Sequence, residues 1–367
     1  MSHDSIPNSY QLQTPHLMKH CGFNFGNFAF RFGLANMTPL DDAIVGNCDL
    51  DVEKGTKVEK IILSCANWVS ESAVDEEKNR RRYEFLEKYD CPVFSFGLGI
   101  QTKHSNGKMR LGESTKRLLH LLSKRGNLLS LRDGFTQKAL ADIGIYNTEV
   151  TGCPSNFINI DSQLPEHIYR HSKYLLNENK LSTLRAHITE CSSIDEHSKA
   201  LNKMMAYLKK YPSFYILQSP ELIPFLRDRG AFSGAYPKGY QDLIKNKSRY
   251  FIHFLEWLEF CRTCDFSFGM RIHGNMIPLQ AARPALLIKH DIRTKGLADV
   301  MGIPSITVDE FSKIRSSALV KTVLQKNIDG MELFSNQRKE SHKKFIELLL
   351  SNNLDICSDF ETMYKGG

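Results

Sequence analysis

No run in the sequence approaches the roughly 18 consecutive apolar residues that a membrane-spanning helix needs. The opening MSHDSIPNSYQLQTPHLMKH is polar and broken by Pro7 and Pro15, which predicts neither a signal peptide nor an anchor. Internal repeats and low-complexity tracts are absent. So are the short catalytic signatures: no Walker loop, no HExxH, no nucleophile elbow. Gly97-Leu98-Gly99 has two of the three glycines of a dinucleotide loop, which is too few for a nucleotide fingerprint. The acidic pair Asp41-Asp42 stands too early to hold a metal-bound nucleotide sugar.

Cysteine is present but unpaired in pattern. The nine are odd in number and scattered, which suits a reducing compartment better than a disulfide framework. Cys261 and Cys264 have metal-ligand spacing, yet no second pair or histidine pair accompanies them, so core cysteines are expected and no metal site is assigned. Charge of one sign is also scarce. The net charge of +7 comes from 48 Lys and Arg against 41 Asp and Glu, interspersed along the chain. The densest knot, Lys78 to Arg82, follows Asp75-Glu76-Glu77 and reads as the solvated face of a helix. A nucleic-acid protein would gather its cations on one stripe with aromatics between them. No nucleic-acid partner is expected; a small anionic substrate is, with brief contact at an acidic membrane surface.

What is there is ample core material. The 22 Phe and 13 Tyr exclude general disorder, and 367 residues suit two domains. Short apolar strands alternate with helical patterns of about a dozen residues, the signature of parallel βαβ units. Expected strands are 61–64, 93–96 and 128–131, and in the second half 181–188, 213–217, 265–269 and 285–289. Expected helices include 72–89, 114–124, 134–143, 199–210, 250–260, 276–282, 312–325 and 338–350. The rhythm breaks near Gly152-Cys153-Pro154. The sequence therefore predicts an α/β chain of two Rossmann-like, doubly wound domains facing a cleft, 1–160 and 161–367, with the last helix packing back on the first. A cytoplasmic protein is expected.

In open α/β sheets ligands bind beyond the carboxyl ends of the strands. The polar residues there are Asn67, Gly97 to Gln101, Arg132-Asp133, Gly152 to Asn156 and Arg271 to Asn275. Asp133 fits a helix N-cap. Arg132, ending a buried strand, points toward a ligand or pairs with an internal acid. Arg271 and His273, two apart, share one face of an extended strand end. Gly274 allows close approach, Asn275 follows it, and Pro278 fits a first helical turn. A cation and an imidazole at a helix N-terminus make an anion site. Asp291, Arg293 and Lys295 follow a further strand, either as a charged surface loop or as part of the site.

Several of these pieces, in this order, resemble the polysaccharide pyruvyl transferases. GFNFGN at 22–27, with Asn24, Gly26 and Asn27, resembles the family's N-terminal Asn-x-Gly-Asp/Asn loop. VFSFGLGIQ at 93–101 resembles its glycine turn, and LLSLRD at 128–133 its strand ending in Arg-Asp. The block from Phe268 to Pro304, with Arg271-Ile-His273-Gly274 and His290-Asp291-Ile-Arg293, resembles its Arg-x-His strand–helix–strand segment. Three positions depart. Leu98 replaces the usual Gln, His290 the usual Tyr, and Arg293 a frequent Lys, which is not a neutral change at an anion site.

The resemblance implies a two-domain fold like that of the GT-B glycosyltransferases. It also implies transfer of the pyruvyl group of phosphoenolpyruvate onto two hydroxyls of a sugar, giving a cyclic ketal and phosphate. The acceptor would be a galactose- or mannose-type residue, of an undecaprenyl-linked or other glycan precursor. Arg132, Arg271 and Arg293 would hold the donor's carboxylate and phosphate. His273 would transfer a proton or hold the phosphate. Phosphoenolpyruvate would be a substrate, with no cofactor and no metal. Two other readings stay open. One is a GT-B glycosyltransferase using a nucleotide sugar, which calls for an acid that binds ribose after the second-domain strands. The other is a non-catalytic sugar-binding or scaffold protein, with Arg132, Arg271 and His273 tied into internal salt bridges.

Overall fold

The computed structural model describes residues 5–6, 8–40, 43–44, 56–102, 109–177 and 181–365. Pro7, the Asp41-Asp42 pair and Cys48 lie outside the described residues. The chain forms two compact α/β units, each assembled from separate stretches of sequence. One comprises Met1–Gly33, Ser155–His290 and Gly302–Ser335; the other Leu34–Pro154, Asp291–Met301 and Asn336–Gly367. A single boundary at 160 does not draw these units. The first 33 residues belong with the later half, whereas 291–301 and the chain from 336 on belong with the earlier half.

The unit holding Leu34–Pro154 contains β1 (Ile61–Ser64), β2 (Val69–Ser70), β3 (Val93–Phe96), β4 (Ile100–Gln101), β5 (Leu129–Leu131) and β6 (Thr148–Val150). β1 pairs with β3, β2 with β4 and β5 with β6, all parallel, and a parallel bridge at Leu98 and Leu131 ties the end of β3 to β5. The helix Glu113–Arg125 buries Leu118, Leu119 and Leu122 beside Val93, Leu129 and Leu131, as its spacing predicts. The helix after β1 and β2 is Ala73–Leu86, shorter than expected, capped by Ser72.

The other unit carries one six-stranded, all-parallel sheet. Its strands are β7 (Ala186–Thr189), β8 (Ser213–Ile216), β9 (Ser248–Arg249), β10 (Phe266–Gly269), β11 (Ala285–Lys289) and β12 (Ser305–Thr307), in spatial order β12-β11-β10-β7-β8-β9. The chain runs outward from β7 through β8 to β9, then returns to β10 on the other side of β7. That is the doubly wound order, with its reversal between β7 and β10. β10 is buried along its whole length and β11 in all but its last residue, as a sheet covered on both faces requires. The stretch expected as a strand from 181 is instead a 3-10 turn, Leu181–Thr183, followed by β7. The two closing helices expected at 312–325 and 338–350 are one helix, Leu319–Ser351, preceded by the short helix Val308–Lys313.

Buried polar groups cross this sheet. His187 on β7 is neighbour to Ser267 on β10. Trp257 Nε1 donates to His187 Nε2 at 3.0 Å. An indole N–H only donates, so Nδ1 carries the imidazole proton and faces Ser267 Oγ at 3.1 Å. Burial lowers the His187 pKa to about 3. Ser267 Oγ in turn donates to Asn275 Oδ1 at 3.0 Å. The eight described cysteines are free thiols, and Cys261 and Cys264 are core residues as expected. Among the described residues, no helix is long and apolar enough to cross a membrane.

Candidate active site

Three neighbouring strands of the six-stranded sheet end in polar residues that meet. Glu190 follows β7, Gln218 and Ser219 follow β8, and Arg271 follows β10. Glu190 is buried and accepts from the backbone N–H of Gln218 at 2.9 Å and of Ser219 at 3.1 Å. The Ser219 hydroxyl also donates to it. Arg271 Nη2 lies 2.6 Å from Glu190 Oε1 and donates to Ser219 Oγ at 2.8 Å. This cluster sits at the strand-order reversal, the place where doubly wound sheets bind ligands.

Gly269 ends β10 with φ +145°, where a Cβ would lie 2.3 Å from Thr189 Oγ1. Only glycine permits that turn and that approach. The backbone then enters a helix, Ile272–Gln280, with Arg271 as its N-cap. His273 is therefore inside the helix, not beside Arg271 on a strand end as the sequence suggested. Pro278 lies in the helix interior rather than its first turn. Asn275 is fully buried and donates to the carbonyls of Gly269 at 3.0 Å and Arg271 at 2.9 Å. Its amide fixes the strand-to-helix turn from within, with Arg271 N–H donating to Thr189 Oγ1 at 3.0 Å.

No side chain caps the helix Ile272–Gln280, so its first turn presents backbone N–H groups. Arg271 Nε is buried with no hydrogen-bond partner. Burial acts to lower the Arg271 guanidinium, but the charges of Glu190 and Glu221 outweigh it and hold the group above an ordinary arginine. His273 is buried, its ring 5.3 Å from that of Phe30.

The N-terminal loop comes to the same place. Phe25 N–H donates to the Gln218 carbonyl at 2.9 Å, and Gly26 N–H to Asn24 Oδ1 at 2.8 Å. A Cβ on Gly26 would lie 2.5 Å from Gln218 Oε1 and 3.1 Å from His273 Cβ; one on Gly274 would lie 2.4 Å from Gln218 Nε2. The Gln218 amide thus occupies the room that these two glycines leave. It is buried, and its Nε2 has no hydrogen-bond partner. Asn27 Nδ2 turns away to donate to the Cys21 carbonyl at 2.8 Å.

Within one unit, then, the structure joins Asn24, Gly26, Arg271, His273 and Gly274, and adds Thr189, Glu190, Gln218 and Ser219. Asn27 and Asn275 also lie in this unit; the remaining candidates, Asn67, Arg132, Asp291, Arg293 and Lys295, belong to the other. Arg132 is buried after β5, with Nη1 3.4 Å from Asn67 Oδ1 and Nη2 3.5 Å from the Cys65 carbonyl. Its side chain crosses Gly99, whose Cβ would lie 3.0 Å from Arg132 Cδ. Asp133 caps the next helix by accepting from Thr136 N–H at 2.8 Å, and burial raises its pKa. Asp291 caps the helix Ile292–Met301 at Thr294 N–H, 2.7 Å, and lies 3.2 Å from Arg293 Nη2. Lys295 is exposed. Among the described residues no group of His, Cys, Asp or Glu could hold a metal ion.

The acid that a nucleotide-sugar reading asks for after these strands would be Glu190, but its oxygens are occupied by four internal donors. The internal salt bridge that a scaffold reading asks for is present at Arg271, through Nη2 only.

A family model described as polysaccharide pyruvyl transferase matches residues 42–292. No curated protein matches the chain in sequence. Among solved structures, the chain is similar to UDP-N-acetylglucosamine 2-epimerase from Rickettsia bellii, at 14% identity and TM-score 0.38 over 76% of this chain and 81% of that one. It is similar to the UDP-GlcNAc 2-epimerase of Neisseria meningitidis bound to UDP-GlcNAc, at 14% and 0.40 over 80% and 76%. It is also similar to Anabaena Alr3699/HepE in complex with UDP-glucose, at 13% and 0.41 over 79% and 77%.

Proposed function

The chain belongs to the polysaccharide pyruvyl transferase family, and from that premise we propose that it takes phosphoenolpyruvate as donor and forms a pyruvate ketal on two hydroxyls of a sugar. One observation carries the donor. Arg271 is anchored through Nη2, its buried Nε has no partner, and it stands directly before an uncapped helix N-terminus that holds His273. A guanidinium and a row of backbone N–H groups suit a small polyanion bearing a carboxylate and a phosphate.

The reaction needs a proton on the methylene carbon of the donor. That proton turns CH2 into CH3 and leaves an oxocarbenium-like carbon, which one sugar hydroxyl attacks, losing its own proton. Phosphate then leaves, and the second hydroxyl attacks the same carbon to close the ring; its proton goes to the phosphate, while the first hydroxyl's proton replaces the one spent on the methylene. His273 is the residue we assign to proton transfer; Arg271 and the helix N-terminus stabilise the charge on the leaving phosphate. Asn24 and Gly26 border His273 and are assigned to substrate contact. The acceptor is a galactose- or mannose-type residue on a lipid-linked precursor, modified on the cytoplasmic side, and the net charge of +7 supports short visits to an anionic membrane.

A thermal-shift titration tests the donor. Phosphoenolpyruvate should stabilise the chain by mass action, about 2.7 kcal/mol at a hundred times its Kd. UDP- and GDP-sugars should not. Stabilisation by a nucleotide sugar alone would overturn the reading. The product is checked by the methyl singlet of the ketal in proton NMR after incubation with donor and acceptor. Arg132→Ala and Arg293→Ala, titrated in the same way, test one at a time whether those cations contribute to donor affinity.

A further inference from the structure

Phe23 stands in the loop that carries Asn24 and Gly26, and neither its backbone nor its packing favours it. It is 52% exposed, so the ring gains little from burial. Its φ is +60°, directly after Gly22 at +63°. A non-glycine residue in that left-handed region costs roughly 1–2 kcal/mol, and Asn or Gly would fit it better. The conformation is imposed from both sides. Phe23 N–H donates to the Met18 carbonyl at 2.7 Å and closes the helix Thr14–His20; Phe25 N–H is held by the Gln218 carbonyl, and Asn27 N–H by the Asn24 carbonyl at 3.0 Å. These bonds hold the backbone on both sides of Phe23, which remains exposed.

Phe23 lies in the loop that reaches the chemistry. Phe23 and Gly26 are three residues apart, so their Cα atoms lie within about 11 Å. Gly26 touches His273, a Cβ there falling 3.1 Å from His273 Cβ. Phe25, by contrast, is fully buried and stacks on Phe28 and Tyr250, so the two neighbouring aromatics of one loop do different work.

We propose that Phe23 is a stacking platform for the acceptor sugar. A pyranose has one face lined with C–H groups, and those hydrogens are attracted to the negative face of an aromatic ring. An exposed Phe in the loop that borders His273 is available to the partner that is neither carboxylate nor phosphate: the neutral ring whose hydroxyls attack. The assignment of that sugar as acceptor rests on the pyruvyl-transfer reading; the binding of the sugar to Phe23 does not.

The experiment uses the full chain with phosphoenolpyruvate present and two probes, methyl β-D-galactopyranoside and methyl α-D-mannopyranoside. Saturation-transfer NMR is recorded for the wild type, Phe23→Asn and Phe23→Tyr. Asn tolerates the left-handed backbone but has no ring; Tyr keeps the ring. Transfer to the ring protons of at least one glycoside is expected in the wild type and Phe23→Tyr and lost in Phe23→Asn. With the accepted glycoside as substrate, Phe23→Asn should raise the acceptor KM about 3–10-fold and leave the donor KM unchanged. Its melting temperature should not fall, because the substitution relieves the backbone.

Equal transfer in Phe23→Asn, or no transfer from the wild type to either glycoside, overturns the proposal. A melting temperature lowered by more than about 4 °C makes the ring a structural support and overturns it as well. So does loss of binding to phosphatidylglycerol-containing vesicles with an unchanged acceptor KM, which would give the ring to a membrane. A wild type that binds the glycosides but forms no ketal overturns the function proposed above while Phe23 stands. Ketal formation with an unaltered acceptor KM in Phe23→Asn overturns Phe23 alone.

Discussion

Arg271 and Glu190 form an ion pair, but removing either partner should not cost the same. Glu190→Ala leaves a guanidinium whose side chain is only 21% exposed. It also orphans the N–H groups of Gln218 and Ser219 and the Ser219 hydroxyl. An uncompensated buried charge with several unpaired donors costs about 3–5 kcal/mol. Arg271→Ala leaves Glu190 with its two backbone donors and one hydroxyl, and the loss should be about 1–2 kcal/mol, the size of one charge-assisted bond made by a partly solvated group. The chain has two tryptophans, and Trp257 is buried in the same unit as the pair. In a Trp68→Phe background, Trp257 fluorescence in a urea titration reports on that unit. At about 2–4 °C per kcal/mol, Glu190→Ala should also melt at least about 6 °C lower. Arg271→Ala, the milder change, should abolish stabilisation by phosphoenolpyruvate. Equal losses, or a larger loss from Arg271→Ala, would refute the claim that the Glu190 carboxylate is held mainly by the end of β8.

His187, fully buried, takes up a proton in the native chain only near pH 3, against 6.5 when unfolded. The unfolded chain therefore binds more protons below 6.5, and stability should drop by about 1.4 kcal/mol per pH unit on acidification toward 3; His187→Gln should flatten the urea midpoint between pH 6.5 and 5 by the equivalent of about 2 kcal/mol, and an unchanged slope would refute the neutral imidazole. His273→Ala should lower kcat about 10²–10⁴-fold while the thermal shift with phosphoenolpyruvate persists; normal turnover at saturating donor would remove His273 from the chemistry. Gly274→Ala pushes a methyl against Gln218 Nε2 and Thr189 Cγ2 and should cost about 1–3 kcal/mol in urea unfolding, most of it recovered in Gly274→Ala/Gln218→Ala; full additivity of the two substitutions would show that the amide is not what the glycine accommodates.

The βαβ rhythm was legible because a parallel sheet covered on both faces needs short, continuous apolar strands, and FSFG and ALLIK are such runs. Membership of the two units was not. A break in rhythm near Pro154 marks a real change of unit, but periodicity is local. It carries no sign that Met1–Gly33 joins the later sheet, a fact set by contacts such as Phe25 N–H to the Gln218 carbonyl across almost two hundred residues. Glu190 shows how one boundary hides a site. With a strand drawn over 181–188, Thr189 and Glu190 fall in an unremarked loop; with β7 at Ala186–Thr189, Glu190 is the first residue past a central strand. Gln218 directly follows the expected strand 213–217 and so carried the strand-end signal, but nothing local shows what its amide packs against. That part is set by Gly26 and Gly274, the two distant residues that leave it room.

The strand-to-helix turn at Gly269 also changes what Arg271 and His273 can do together. Two residues apart on a strand they would point the same way; as N-cap and second residue of a helix they diverge. The contacts follow that divergence. Arg271 turns to Glu190 and Ser219 at the ends of β7 and β8, while His273 turns to Phe30 and the loop at Gly26. Anion anchoring and proton transfer are then assigned to opposite sides of one helix N-terminus instead of competing for one face. A His273→Arg exchange, harmless if both residues served a single anion clamp, should therefore abolish turnover while donor affinity is kept or increased. Retained turnover would return the two residues to one shared role.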